Sequence, residues 1–294
     1  MISLYREMYK NRVNYLFLAP MYLLLLIFLI IPAIQGLYYS LFDFTIGSPR
    51  LFVGFKNFTK LFQEEVFWIA LKNTFFLVLI IVPVSIFTAL FISVAVYRSS
   101  QAAKAFVRGA FYLPLVVSSV SLTLVWGFIF NPVAGLANQL LKLIKVAPIT
   151  WLGDPQYAFI AITIVLFTFV LGKPVILYLA SIGNIPETFY EAARIDGANE
   201  FKQFIHVTLP MLKPTTLYLV ITGTIQVFNV FVLIKIMTGG GPGNSTQTLA
   251  YLLYEKAFVF GQYGLASAVG AVLVFLVTII AIIQYKFLST DIEY

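Results

Sequence analysis

Lys173 stands at the end of a long apolar stretch, Pro155–Gly172, and is followed by Pro174 and further apolar residues. An ammonium at membrane depth costs at least about 2.5 kcal/mol in insertion terms unless it reaches water or a partner. All 12 acidic residues lie outside the long uncharged runs, so no carboxylate of this chain is available at that depth to pair with it. Lys173 therefore faces water, a neighbouring subunit or a cargo, or it snorkels toward the headgroups beyond Ile182. Gln226 and Asn229 are polar groups in a second apolar run. Three residues apart, they share one helical face, suited either to the hydroxyls of a polar solute or to hydrogen bonds between helices. Trp126 offers a ring for stacking on a solute, or a lipid-facing side chain like most of the aromatic residues here. Lys235 lies near the end of the same run as Gln226 and is read as snorkelling.

Catalytic chemistry finds little to work with. There is no cysteine and one histidine, His206, and the acids occupy only connecting segments, so a membrane-embedded enzyme lacks the clustered side chains it needs. Nucleotide hydrolysis is also missing its signature. Gly172-Lys173 is the only Gly-Lys pair, Pro174 follows it, and Phe167 occupies the position where a phosphate-binding loop has its first glycine. The net charge of +7 is read as basic residues meeting anionic headgroups, with nothing that resembles a nucleic-acid module.

The elements that must position these residues follow from the composition, which is 61% hydrophobic and 11% charged. A soluble domain carries about 25% charged residues, so a water-soluble globule is excluded. The long uncharged runs are Val13–Phe42, Asn73–Tyr97, Gly109–Leu141, Pro155–Gly172, Pro214–Ile234 and Ala257–Tyr285. Each is close to or above the roughly 20 residues a helix needs to cross the hydrocarbon core. A seventh uncharged run, Ile236–Tyr254, contains GGGPGNSTQT and is too polar and glycine-rich to span. No run alternates in polarity as barrel strands do. The expectation is an all-α integral membrane protein of six transmembrane helices in a single domain, 1–294. The spans fall at about 15–40, 73–97, 109–131, 156–182, 214–237 and 264–286. The first is too long for a cleavable signal and is read as retained.

Basic residues near the span ends set the orientation. With the N-terminus inside, ten Lys and Arg fall on inner segments and six on outer ones, and Arg98, Lys104 and Arg108 share a tight inner connection without an acid. Both termini are then cytoplasmic. Pro83, Pro114 and Pro174 are expected to kink or break their spans.

The segment 185–212, between the fourth and fifth spans, holds Glu187, Glu191, Asp196, Glu200 and the only histidine. Pro186 and Glu187 signal a helix start, Gly197 a left-handed stop, and a second short helix runs from Ala198 to about Val207 before Pro210. The expectation is a cytoplasmic helix-turn-helix. Phe189, Ala192, Ala193 and Asp196 fall at helical spacing, which leaves a strip of small residues beside the acidic edge of Glu191 and Asp196. Such a face admits another protein's backbone, or lies on the bilayer as an ordinary amphipathic helix.

The string Glu191-Ala192-Ala193, Gly197, then Val207-Thr208-Leu209-Pro210 resembles the EAA motif of permease subunits in bacterial ATP-binding-cassette importers. That family usually has Ile where Val207 stands. VGFKNFTKLF (53–62), LKNTF (71–75), residues 111–141, TGGGPGNSTQTL (238–249) and YGLASAVG (263–270) resemble other parts of the same family. The likeness covers nearly the whole chain and points to the carbohydrate-uptake branch, on the side of its maltose-F-like subunit. By this resemblance Pro186 to Gly197 is the coupling helix, with Glu191, Ala192, Ala193, Asp196 and Gly197 meeting a cytoplasmic ATPase. It implies a permease in the bacterial cytoplasmic membrane that is not itself an enzyme and holds no cofactor. ATP and magnesium are bound by two ATPase subunits. A second homologous permease subunit and an extracytoplasmic solute-binding protein complete the assembly. Lys173, Gln226, Asn229 and Trp126 become candidates for the cargo pathway of a sugar. With Lys173 in that pathway, the expected ligand is anionic, such as a uronate-containing oligosaccharide or a sugar or glycerol phosphate. An ion-coupled secondary transporter is the alternative, although neither intramembrane carboxylates nor inverted repeats are evident.

Overall fold

The computed structural model describes residues 11–289. Five helices among them are long and apolar enough to cross a membrane: Val13–Tyr39, Glu65–Tyr97, Pro155–Gly183, Lys213–Met237 and Tyr263–Leu288. A sixth apolar stretch is a bent pair, Gln101–Val116 and Ser119–Ile129, turned by 102°. With the bent pair counted as one span, the all-α architecture has the six expected.

The third span, expected over 109–131 with a kink or break at Pro114, is broken a few residues beyond that proline. Val117 and Ser118 leave helical geometry, with ψ of 141° and 134°. The sequence around the break, VVSSVS over 116–121, is made of β-branched residues and serines, which favour the helix poorly and compete for its backbone bonds. Pro114 lies just upstream, inside the first half. Pro83 and Pro174, by contrast, sit within unbroken helices.

The chain divides into two compact units, Met1–Gln63 with Glu255–Ala271, and Glu64–Tyr254 with Val272–Tyr294. In the first, the span Val13–Tyr39 leads into a two-residue antiparallel pairing of Phe42 with Phe52 and Asp43 with Leu51. The amphipathic helix Lys56–Gln63 buries Asn57 and Leu61. Asn57 Nδ2 donates to the carbonyls of Ser40 and Phe42, both at 2.8 Å, and so closes the turn after the span.

In the second unit the helices Glu65–Tyr97 and Pro155–Gly183 form the core. Ala70, Ala89, Ala158 and Ala161 are fully buried where they pack, beside Leu77, Ile81, Ile162 and Val165. Water supplies no driving force between helices in lipid, so small residues that allow close backbone approach take its place. One polar bond joins these two helices: Ser93 Oγ donates to the Val175 carbonyl at 3.1 Å.

Candidate functional sites in the second unit

The 185–212 segment folds as its signals require. Pro186 caps a helix at Glu187–Ile195 with Glu187 in the first turn. Gly197 has φ of +76°, a left-handed position suited to glycine. Gly197 N–H donates to the Arg194 carbonyl at 3.0 Å and Ala198 N–H to the Ala193 carbonyl at 2.8 Å, the paired bonds of a Schellman stop. The second helix starts at Glu200 rather than at the expected Ala198, because the Asn199 side chain accepts from Lys202 N–H at 2.9 Å and caps it. After Gln203 the chain widens into a π-turn over Phe204–Thr208, where Leu209 N–H reaches back to the Phe204 carbonyl.

Glu191, Ala192, Asp196 and Gly197 are exposed and Ala193 is half-buried. Beside them Ile195 is 87% and Phe201 68% exposed. Large apolar side chains set among carboxylates on an uncovered face suit contact with another protein. Tyr190 points the other way and is buried, its hydroxyl hydrogen-bonded to Thr208 Oγ1 at 3.0 Å. A cavity of about 890 Å³ lies behind the helix, lined in part by Val94, Arg98, Ile182, Tyr190, Glu200 and Thr208. Two exposed ion pairs stand at its walls, Arg98 with Glu200 and Arg194 with Glu187.

Lys173 is half-buried, and its ammonium donates to Thr222 Oγ1 at 3.2 Å and lies 4.7 Å from the centre of the Tyr218 ring. Thr222 Oγ1 donates in turn to the Tyr218 carbonyl at 2.8 Å, leaving its lone pairs toward the lysine. Among the described residues no carboxylate pairs with Lys173. Tyr218, Thr222, Gln226 and Asn229 succeed one another at spacings of four, four and three, so they form one polar stripe along the helix Lys213–Phe228. Gln226 is exposed, and so is Asn229, which also closes the helix by donating to the Ile225 carbonyl at 2.8 Å.

Trp126 belongs to an aromatic column. It stacks on Phe130 at 5.5 Å, and Phe130 meets Trp151 at 5.2 Å, in a column fixed by Trp151 Nε1 donating to Asn138 Oδ1 at 3.0 Å. Lys235 bonds the Tyr254 hydroxyl and lies over its ring.

Sequence reasoning missed Thr222 and Tyr218, which hold Lys173 from a helix about fifty positions along, and Tyr190 with Thr208. It also missed asparagines that clamp backbone carbonyls. Asn73 Nδ2 donates to the carbonyls of Ser245 and Gln247 at 3.0 Å and of Asn244 at 3.4 Å. Asn138 bonds the carbonyls of Pro132 and Ile149. For Asn138 the signal was its place between Pro132, Gly135 and Pro148; Asn73 has no glycine or proline near it in sequence.

The family model described as the binding-protein-dependent transport system inner membrane component matches residues 81–294. A probable ABC transporter permease protein, YurN of Bacillus subtilis, is 37% identical over 96% of this chain and 97% of its own length. The trehalose/maltose transport system permease protein MalF of Thermococcus litoralis is 33% identical over 96% and 94%. Among solved structures, a bacterial ABC transporter involved in the import of the acidic polysaccharide alginate matches with a TM-score of 0.82 at 26% identity, covering 99% of this chain and 100% of that one.

Proposed function

The chain belongs to the inner membrane components of binding-protein-dependent transport systems, and from that premise we propose that it is one permease subunit of an ATP-driven importer of a carbohydrate. Membership in that family sets the ion-coupled alternative aside. The single observation that carries the reading of how it is driven is the 187–197 helix, with its Schellman stop, its exposed Glu191, Ala192 and Asp196, and the uncovered Ile195. In this reading the segment lies on the cytoplasmic side, with both termini, and docks on one of two ATPase subunits that bind ATP and magnesium. This subunit has no catalytic role of its own. A second, homologous permease subunit completes the pathway, and an extracytoplasmic binding protein delivers the solute. Nucleotide at one end and loaded binding protein at the other bias an equilibrium between inward- and outward-facing states.

The relatives support a sugar as cargo, since they include permease proteins of transport systems for trehalose and maltose, for lactose and for diacetylchitobiose. The polar stripe supports a pathway along the 213–228 helix, since four successive polar positions at membrane depth are costly against lipid. Lys173 gives that pathway a positive charge with no carboxylate beside it, which suits an anionic saccharide. The solved transporter of like fold is involved in the import of such a ligand, the acidic polysaccharide alginate. Trp126, packed on Phe130, would act by shaping the neighbouring wall.

The test is co-purification with an ATPase followed by its assay. Turnover that depends on loaded binding protein, and loss of the ATPase on deleting 187–197, are expected; unchanged association of the deletion variant refutes the coupling role. For the cargo, Lys173→Ala is expected to weaken uptake of an acidic oligosaccharide about tenfold or more and that of a neutral one little, given about 1.5–3 kcal/mol for a charge-assisted bond. Equal effects on both overturn the anionic assignment.

A further inference from the structure

We propose that the hydrogen bond between Tyr190 and Thr208 is the link by which movement of the 187–195 helix reaches the membrane spans, which makes Tyr190 a positioning residue for transport. The proposal rests on the reading that this helix docks on an ATPase.

Apart from the backbone that continues from either end, a docking helix moves the spans through the side chains that join it to them. Most of this helix is exposed, and behind it lies the cavity of about 890 Å³ rather than packed side chains. Tyr190 is its one buried residue. Among the described residues, Tyr190 to Thr208, at 3.0 Å, is the one side-chain hydrogen bond that leaves the helix for another element; the Arg194 bonds stay within it. The Arg98–Glu200 pair joins the following helix to the second span, but both side chains are more than half exposed, and such a contact is weak and screened by salt.

From Thr208 the connections run onward through buried or half-buried groups. Leu212 N–H donates to the Thr208 carbonyl at 3.0 Å, and Thr216 Oγ1 donates to the Leu212 carbonyl at 2.9 Å. Tyr178 meets Thr216 at 2.9 Å and Ser181 meets Thr215 at 2.8 Å, which ties the start of the fifth span to the fourth. The Ser93 bond to the Val175 carbonyl then ties the fourth to the second. Thr208 itself is the last residue of the π-turn Phe204–Thr208. A π-turn holds one residue more than an α-turn and frequently marks functional places in helices. Tyr190 thus grips the chain at the π-turn.

The experiment uses the full complex in proteoliposomes and measures solute imported per ATP hydrolysed. Tyr190→Phe keeps the ring and removes the hydroxyl, and is expected to lower that ratio about fivefold, the factor matching one net hydrogen bond of about 1 kcal/mol. Thr208→Val is expected to do the same and Thr208→Ser to retain the wild-type ratio. The double variant Tyr190→Phe/Thr208→Val should be no worse than either single one, since both remove one interaction. A wild-type ratio in Tyr190→Phe overturns the proposal, as does parallel loss of ATPase and uptake at a constant ratio, which marks a docking or folding role. A wild-type complex without solute-dependent ATPase instead overturns the importer reading beneath it, and is recognised before any variant is compared.

Discussion

The two segments that flank the helix Lys213–Met237 are built in opposite ways. The one after it, residues 238–249, is clamped from within. Asn73 holds three of its carbonyls, Thr238 meets Thr246, Thr248 bonds the Val230 carbonyl, and Leu249 N–H donates to Thr74. Thr246, Gln247 and Thr248 are almost wholly buried. The one before it, residues 185–212, keeps a cavity at its back, exposes Ile195 and Phe201, and carries its ion pairs in the open. Satisfied buried polar networks fix one geometry, whereas exposed pairs and unfilled space permit several. The difference teaches that one end of the helix is braced and the other is open, which is what the proposed docking role requires of it.

Substitutions should separate the two by size of effect. Asn73→Ala removes the two N–H groups that three carbonyls of the clamped loop share and is expected to cost about 3 kcal/mol, at up to about 1.5 kcal/mol per N–H, seen as a lower Tm in detergent. Gly240→Ala comes next at about 2 kcal/mol: the residue has φ of +79°, and an added Cβ lies 1.9 Å from Gln247 Oε1. In the other segment, Arg98→Gln is expected to change stability by no more than about 1 kcal/mol, less at high salt. Ile195→Ala should leave stability within about 0.5 kcal/mol while weakening recovery of the ATPase on co-purification. A large loss of stability in Arg98→Gln, or none in Asn73→Ala, breaks the contrast.

The range of each interaction decides how legible it is in the sequence. Spans show in runs without charge because the hydrocarbon core acts on every residue in the run. The helix stop at Gly197 and the start beside Pro186 are local backbone chemistry, and both were legible. The isolation of Lys173 from carboxylates was legible too, since it needs only the positions of the acids. Its partners Thr222 and Tyr218 were not, because they depend on how two helices pack. The break at Val117–Ser118 was obscured by Pro114, whose strong local signal drew attention from the weaker β-branched and serine run beside it. Tyr190 read as one aromatic residue among many until its hydroxyl was seen against Thr208. Asn73 acts on a loop more than 170 positions away, which no local pattern announces.

Hydrogen–deuterium exchange on the permease with and without its ATPase tests the contrast most directly. The account predicts slow exchange over 238–249 in both states and fast exchange over 185–212 that slows when the ATPase binds. Protection over 185–212 that is already complete without the ATPase, or a change confined to 238–249, would contradict it.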